Sequence, residues 1–167
     1  MKLFSQVKGH RPKRTKFDLS HERKLSCKIG QLIPIMVDEV VPGDTFSINS
    51  EVLVRMAPTL APIMHRVNVY VHYFYVPNRI IWEPWKDFIT GEDTEISIPI
   101  LDESSAPYPI QKNSVADYLG VPPGKHPHEM GEISILPFRA YTAIYNEYYR
   151  DQNLQEEIDW EKPGFWN

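Results

Sequence analysis

A mainly β fold with long loops and short helices is what the sequence predicts. Two alternating stretches and a rigid crossover between them carry most of that reading. In residues 44–56, Phe46, Ile48, Val52, Val54 and Met56 fall on one face of an extended strand. Thr45, Ser47, Asn49, Glu51 and Arg55 fall on the other, as a side-chain period of two requires. In residues 66–76, Val67, Val69, Val71, Tyr73 and Tyr75 share one face. Asn68, Tyr70, His72, Phe74 and Val76 make an opposite face that is also largely apolar. A strand apolar on both sides belongs inside a sheet that is covered above and below. The crossover, Ala57-Pro-Thr-Leu-Ala-Pro62, cannot extend either strand, because Pro58 and Pro62 lack ladder N–H groups. These stretches are scaffold rather than active site.

Composition agrees. The chain has 167 residues, enough for one domain with a core or for part of a larger one. Fifteen prolines against eight glycines, with 12% aromatic residues, favour short strands and stiff loops over packed helices. A net charge of -4 gives no overall signature of nucleic-acid binding, but basic residues crowd the N-terminus and acidic ones the C-terminus. The single cysteine, Cys27, excludes an internal disulfide framework and suits a reducing compartment. No apolar run approaches the roughly 20 residues of a membrane span, and no secretory signal pattern opens the chain. A soluble protein made inside the cell is expected.

Taken in order, residues 1–28 predict a basic extended arm, with Lys8, Arg11, Lys13, Arg14, Lys16, Arg23, Lys24 and Lys28 and no hydrophobic period. Such an arm is either a solvated tail or a phosphate-neutralising segment without sequence specificity. Within it, Phe17 and Leu19 are candidate anchors, and Asp18 or Ser20 can cap a turn. Residues 31–37 predict a strand that Pro34 places at a sheet edge or where its missing N–H is not needed. Val41-Pro-Gly-Asp44 predicts a turn, Pro42 setting φ and Gly43 supplying a positive φ.

After Val76, the helical spacing of Trp82, Trp85, Phe88 and Ile89 predicts a short helix, with Pro84 in its first turn and Gly91 at its stop. Stacking of bases on these rings is the competing use, though an aromatic stripe at that spacing is ordinarily core. Residues 91–113 predict a long acidic, then proline-rich loop, with a short strand at 95–100. Ser114 predicts the cap of a short helix that ends at Gly120. A further loop covers 121–128. Residues 137–150 predict the best helix of the chain, with Phe138, Tyr141, Ile144, Tyr145 and Tyr148 on one face and Arg150 at the favourable end of its dipole. The tail, 155–167, is acidic and then aromatic, with Pro163-Gly164 as a turn.

No catalytic constellation emerges. P-loop, G-x-G-x-x-G, G-x-S-x-G and H-E-x-x-H patterns are missing. Of six histidines, only His126 and His128, with Glu129, cluster locally, and a proline-containing exposed loop is the simpler account of them. His65 and His72 fit structural roles beside or within a strand. Glu92, Asp93 and Glu95 pose a calcium site against a solvated acidic loop, and the loop is favoured. Lys24 and Lys28 could lower the Cys27 thiol pKa, but no adjacent base accompanies it. Neither a cofactor nor a metal ion is expected.

Nine stretches carry a resemblance. They are Phe17-Asp-Leu-Ser-His21, Gly30-Gln-Leu-Ile-Pro34, Glu39-Val-Val-Pro-Gly-Asp44 and Ala57-Pro-Thr-Leu-Ala-Pro-Ile-Met-His65. Then come Tyr73-Phe-Tyr-Val-Pro-Asn-Arg79, Trp85-Lys-Asp-Phe-Ile-Thr-Gly91 and Asp117-Tyr-Leu-Gly120. Leu136-Pro-Phe-Arg-Ala-Tyr141 and Ile144-Tyr-Asn-Glu-Tyr-Tyr-Arg-Asp-Gln-Asn153 complete the set. In this order they resemble the major capsid proteins of the microviruses, small icosahedral single-stranded DNA phages, and in particular the gokushovirus branch.

The resemblance implies an eight-stranded antiparallel β-jelly roll with long inserted loops and short helices, and a structural rather than enzymatic role. It implies identical subunits closing into an icosahedral shell, packaged single-stranded DNA and other virion proteins as partners, and no membrane. The location would be the virion, after synthesis in the host bacterial cytoplasm. Family members are much longer, so residues 29–167 would be the N-terminal part of a single jelly-roll domain behind the basic arm 1–28. The remaining strands would lie past Asn167. Lys13, Arg14 and Lys16 are the candidates for neutralising DNA.

Two other classes stay in view. One is a standalone module binding single-stranded nucleic acid, with Tyr70, Tyr73, Phe74 and Tyr75 as a stacking platform. Alternation opposes it, since Tyr73 and Tyr75 point away from Tyr70 and Phe74. The other is a cupin-like enzyme, for which the histidines are too scattered.

Overall fold

The computed structural model describes residues 13–101, 109–160 and 162. Lys8, Arg11, the middle of the proline-rich loop with Pro107, and the Pro163-Gly164 turn lie outside the described residues.

Among the described residues every helix lies after Pro77. The predicted helix after Val76 is two short ones, α1 (Asn78–Ile81) and α2 (Trp85–Thr90). Trp82 leaves helical geometry at φ -151°, and Pro84 precedes the first helical residue of α2 rather than lying inside its first turn. Proline at 84 has no N–H to continue α1, which is the physical reason for the break. Gly91 ends α2 with φ 67°. Its N–H donates to Phe88 O at 3.3 Å and that of Glu92 to Asp87 O at 3.0 Å, a Schellman closure that favours glycine. Trp82, Trp85 and Phe88 pack as one aromatic group with centroids 5.2–6.0 Å apart, while Ile89 faces outward.

Helix α3 (Val115–Tyr118) begins where Ser114 Oγ accepts the Asp117 N–H at 3.3 Å. Gly120 follows with φ 98°. Next come a 3₁₀ turn, Pro127–Glu129, and α4 (Leu136–Ile144). The predicted helix through Arg150 then widens into a π turn, Tyr145–Tyr149, closed by the Arg150 N–H on Tyr145 O at 2.9 Å. Its buried line is Phe138, Thr142 and Asn146; of the expected face only Phe138 lies on it, while Tyr141, Ile144 and Tyr145 are half-buried and Tyr148 is exposed. Two polar members are tolerated there because each is satisfied. Thr142 Oγ1 donates to Phe138 O, and the Asn146 amide both donates to Ile158 O at 2.8 Å and accepts the Ile158 N–H at 3.0 Å. That pair folds residues 151–160 back over the π turn. Arg150 adds a bond to Gln155 O at 2.9 Å.

A small core joins these pieces. Leu101, Ile110, Ala116, Val121, Ile135 and Phe138 form it, all at most 6% exposed. Two backbone clasps close it. The first joins Leu101 N to Ile133 O and Ile135 N to Pro99 O around an antiparallel bridge between Ile100 and Ser134. The second joins Ile110 N to Lys125 O and Gly124 N to Ile110 O. The predicted strand at 95–100 is therefore reduced to its last residue.

Residues 23–32 run across this helical unit as a strap. Arg23 Nη2 donates to Tyr118 O, Tyr118 Oη to Ser26 O at 2.8 Å, and Tyr141 Oη to Leu32 O at 2.9 Å. Side-chain donors thus satisfy main-chain carbonyls that have no ladder partner. Burial first, and nearby Tyr145 second, push the Tyr141 phenol above its usual 10.0. Between pH 10 and that raised value the unfolded chain holds fewer protons than the folded one, so stability is complete below pH 10 and falls as pH rises through the window. Tyr141→Phe is expected to cost about 1 kcal/mol near neutral pH and to flatten this alkaline fall, measured by denaturant unfolding.

The two alternating stretches lie ahead of the helical unit. Among the described residues they carry no ladder hydrogen bonds, and most of their apolar side chains are exposed. They meet where Tyr73 Oη donates to Ser50 Oγ at 2.7 Å. The turn that feeds the first is present, with Asp44 N on Val41 O at 3.1 Å and Gly43 at φ 93°.

Candidate functional site

Simple alternation puts Tyr70, His72 and Phe74 of the second stretch on one side and Tyr73 and Tyr75 on the other. Tyr70, His72 and Phe74 follow one another with centroids 6.2 and 6.3 Å apart, close to the roughly 6.6 Å that two strand residues span. The π turn meets them from the other end of the sequence. Tyr149 lies nearly parallel to His72 at 6.0 Å, and its hydroxyl shares a 2.5 Å hydrogen bond with His72 Nδ1. Tyr148 packs against Phe74 at 5.0 Å, and Tyr149 meets Phe74 edge-on at 6.1 Å. An extra residue in the π turn changes the helix phase, so neighbouring tyrosines both reach the same strand face. His72, Tyr73, Phe74, Tyr148 and Tyr149 line an open groove of about 450 Å³. Alternation made one half of this surface readable in the sequence. Its partner, some 75 residues on, left no local signal.

The basic candidates lie elsewhere. Lys13, Arg14 and Lys16 are all exposed, and no hydrogen bond or ring contact among the described residues joins them to the aromatic groove. Nearby, Ser20 N–H donates to Asp18 Oδ1 at 3.0 Å, the predicted turn, and the hydrogen bonds from Ser20 hold the Asp18 carboxyl below its usual pKa. Cys27 is exposed.

The loop carboxylates serve the backbone. Asp93 Oδ1 accepts the Glu95 N–H at 2.9 Å, and Glu129 Oε2 accepts the His126 N–H at 3.4 Å as a cap of the 3₁₀ turn. Among the described residues no group of three or more histidine, cysteine, aspartate or glutamate side chains is placed to hold a metal ion. Nor is any helix among them long and apolar enough to cross a membrane.

What remains among the described residues is a surface rich in exposed apolar side chains. A family model described as capsid protein (F protein) matches residues 5–164. The chain belongs to this capsid protein family. It is 38% identical over 168 residues to capsid protein VP1 of Chlamydia phage 1, covering 93% of this chain and 27% of that relative. Against capsid protein VP1 of Bdellovibrio phage phiMH2K it is 35% identical over 160 residues, covering 93% and 29%. Against capsid protein VP1 of Spiroplasma virus 4 the identity is 31% over 159 residues, covering 92% and 28%. The chain thus spans 27–29% of the length of these curated relatives. All nine stretches that resemble microvirus capsid proteins fall inside the matched span, and the family they indicate is the one found.

Proposed function

We propose that the chain is part of a phage capsid subunit that assembles with identical copies into an icosahedral shell around single-stranded DNA. Its role is structural, its location the virion, and it has no enzymatic activity. Residues 29–167 would supply the first part of an eight-stranded jelly roll, behind the basic arm 1–28. One observation carries this reading: alternating segments with the composition of covered strands lie uncovered. Tyr75 is 76% exposed, and Val52, Val54, Val67 and Val69 are each more than two-fifths exposed. Exposed apolar area on that scale marks a surface meant for other protein. In a shell it would be met by the remaining strands of the roll and by neighbours related by symmetry. The exposed Lys13, Arg14 and Lys16 would face the packaged strand and neutralise phosphates without reading sequence.

Sedimentation velocity on the protein from its native source, read at protein and nucleic-acid wavelengths, tests the reading. A single very large species containing nucleic acid is expected. A small species binding oligonucleotides stoichiometrically, with steep salt dependence, would replace the shell by a standalone nucleic-acid-binding module.

A further inference from the structure

Residues 23–32 are held to the helical unit by hydrogen bonds rather than by buried side chains. Every residue from 23 to 31 is exposed, Ile29 at 77% and Leu25 at 40% among them. Only at Leu32, Ile33 and Pro34 does the chain become half-buried. The strap therefore has two unlike parts. Its C-terminal end is tied by Tyr141 Oη on Leu32 O and by that partial burial. Its N-terminal end is tied by Arg23 Nη2 on Tyr118 O and by Tyr118 Oη on Ser26 O. A turn at residues 28–31 separates the two, with the Lys28 N–H on Gln31 Oε1 at 2.9 Å and Gly30 at φ 85°. The space beside Gly30 is open, a Cβ built there meeting no atom within 4 Å. We propose that residues 23–29 are a releasable clasp, which pivots at Gly30 and sets the point from which the basic arm leaves the helical unit.

Opening the clasp costs little. Each bond given up is replaced by one to water, and little apolar surface of the strap is uncovered. Segments with few buried apolar contacts and an exposed backbone are the ones that open ahead of a folded core. Helix α3, where the clasp is seated, does not depend on it. Tyr118 N bonds Ser114 O at 3.1 Å, Leu119 N bonds Val115 O at 2.8 Å, and Ala116 and Val121 lie in the core. The two states place the arm differently. Closed, the segment carrying Lys13, Arg14 and Lys16 starts at Arg23, beside the end of α3, and the Arg23 guanidinium is occupied. Open, it starts at Gly30, and Arg23 joins the free cations of the arm. The seven residues 23–29, extended, let the arm sweep roughly 23–25 Å further from its anchor. What the arm meets there rests on the shell reading; the clasp itself does not.

Limited trypsin digestion of the unassembled full chain, followed by mass spectrometry, tests the clasp without requiring a shell. Cleavage after Lys16, in the arm, is the internal reference. Cleavage after Lys24 reports opening, because the protease acts on a segment released from its partners. In the unsubstituted chain it is expected to be at least about tenfold slower than cleavage after Lys16. Tyr118→Phe keeps the ring and loses the bond to Ser26 O, and should raise the Lys24 rate about fivefold. Hydrogen exchange of the Leu119 and Val121 amides should meanwhile stay within about threefold, the core remaining folded. Equal cleavage after Lys16 and Lys24 in the unsubstituted chain would overturn the clasp, as would a Lys24 rate that Tyr118→Phe leaves unaltered. So would Lys24 cleavage and core exchange rising together, since the strap would then open only with the helical unit. Absence of particles from the native source fails the shell reading separately and leaves each of these outcomes as it stands.

Discussion

Val69→Asp is expected to reduce the yield of assembled particles at least a hundredfold while leaving the unassembled chain as stable as before. Val69 is 54% exposed here, so a carboxylate there keeps its water as long as that face is uncovered. Assembly into a covered sheet would strip that water and leave an unpaired charge in an apolar interface, at a cost of several kcal/mol per copy. A closed shell repeats the cost in every subunit. Particle yield after gradient sedimentation, set beside thermal unfolding of the unassembled chain, measures both halves. Glu92→Gln, in an exposed loop, is the matching control and should leave the yield within about twofold.

Phe138→Ala should be the most damaging substitution inside the helical unit. Phe138 is 1% exposed and packs in the core with Leu101, Ile110, Ala116, Val121 and Ile135. Removing a ring from so small a core leaves a cavity that few neighbours can close, at a cost of about 3–5 kcal/mol. The amides of Leu119 and Val121, bonded to Val115 O at 2.8 Å and Ala116 O at 3.0 Å, report it directly. Their hydrogen exchange should accelerate by about a hundred- to a few thousandfold, since 1.4 kcal/mol is a factor of about ten. Ile89→Ala, at a site 62% exposed on α2, should change the same amides by less than about threefold.

The local signals in the sequence were reliable because their physics is local. The Ser114 cap, the Gly91 stop, the turn at Gly43 and the Asp18 turn each depend on atoms a few residues apart, and each is in place. The helix before Arg150 was legible from its apolar period, but its buried line was not. That line is decided by the Asn146 clasp on Ile158, twelve residues away, and by a π turn whose stabilising contacts come from residues 72–74. The break at Trp82 lost out to an aromatic period that ran straight through Pro84. The strap has no local signature for a similar reason: Tyr118 and Tyr141 bond carbonyls more than 90 residues upstream. Charge density alone makes Lys13, Arg14 and Lys16 candidates, whereas the aromatic groove needs two segments brought together in space.

The alternating stretches 44–56 and 66–76 are where the account can be tested most directly. A cryo-electron microscopy reconstruction of the native particle would locate them. The account predicts a closed shell of identical copies, with Val67, Val69 and Val71 buried under other protein and Lys13, Arg14 and Lys16 on the interior side. A small assembly, or a shell in which that valine face stays open to solvent, would contradict it.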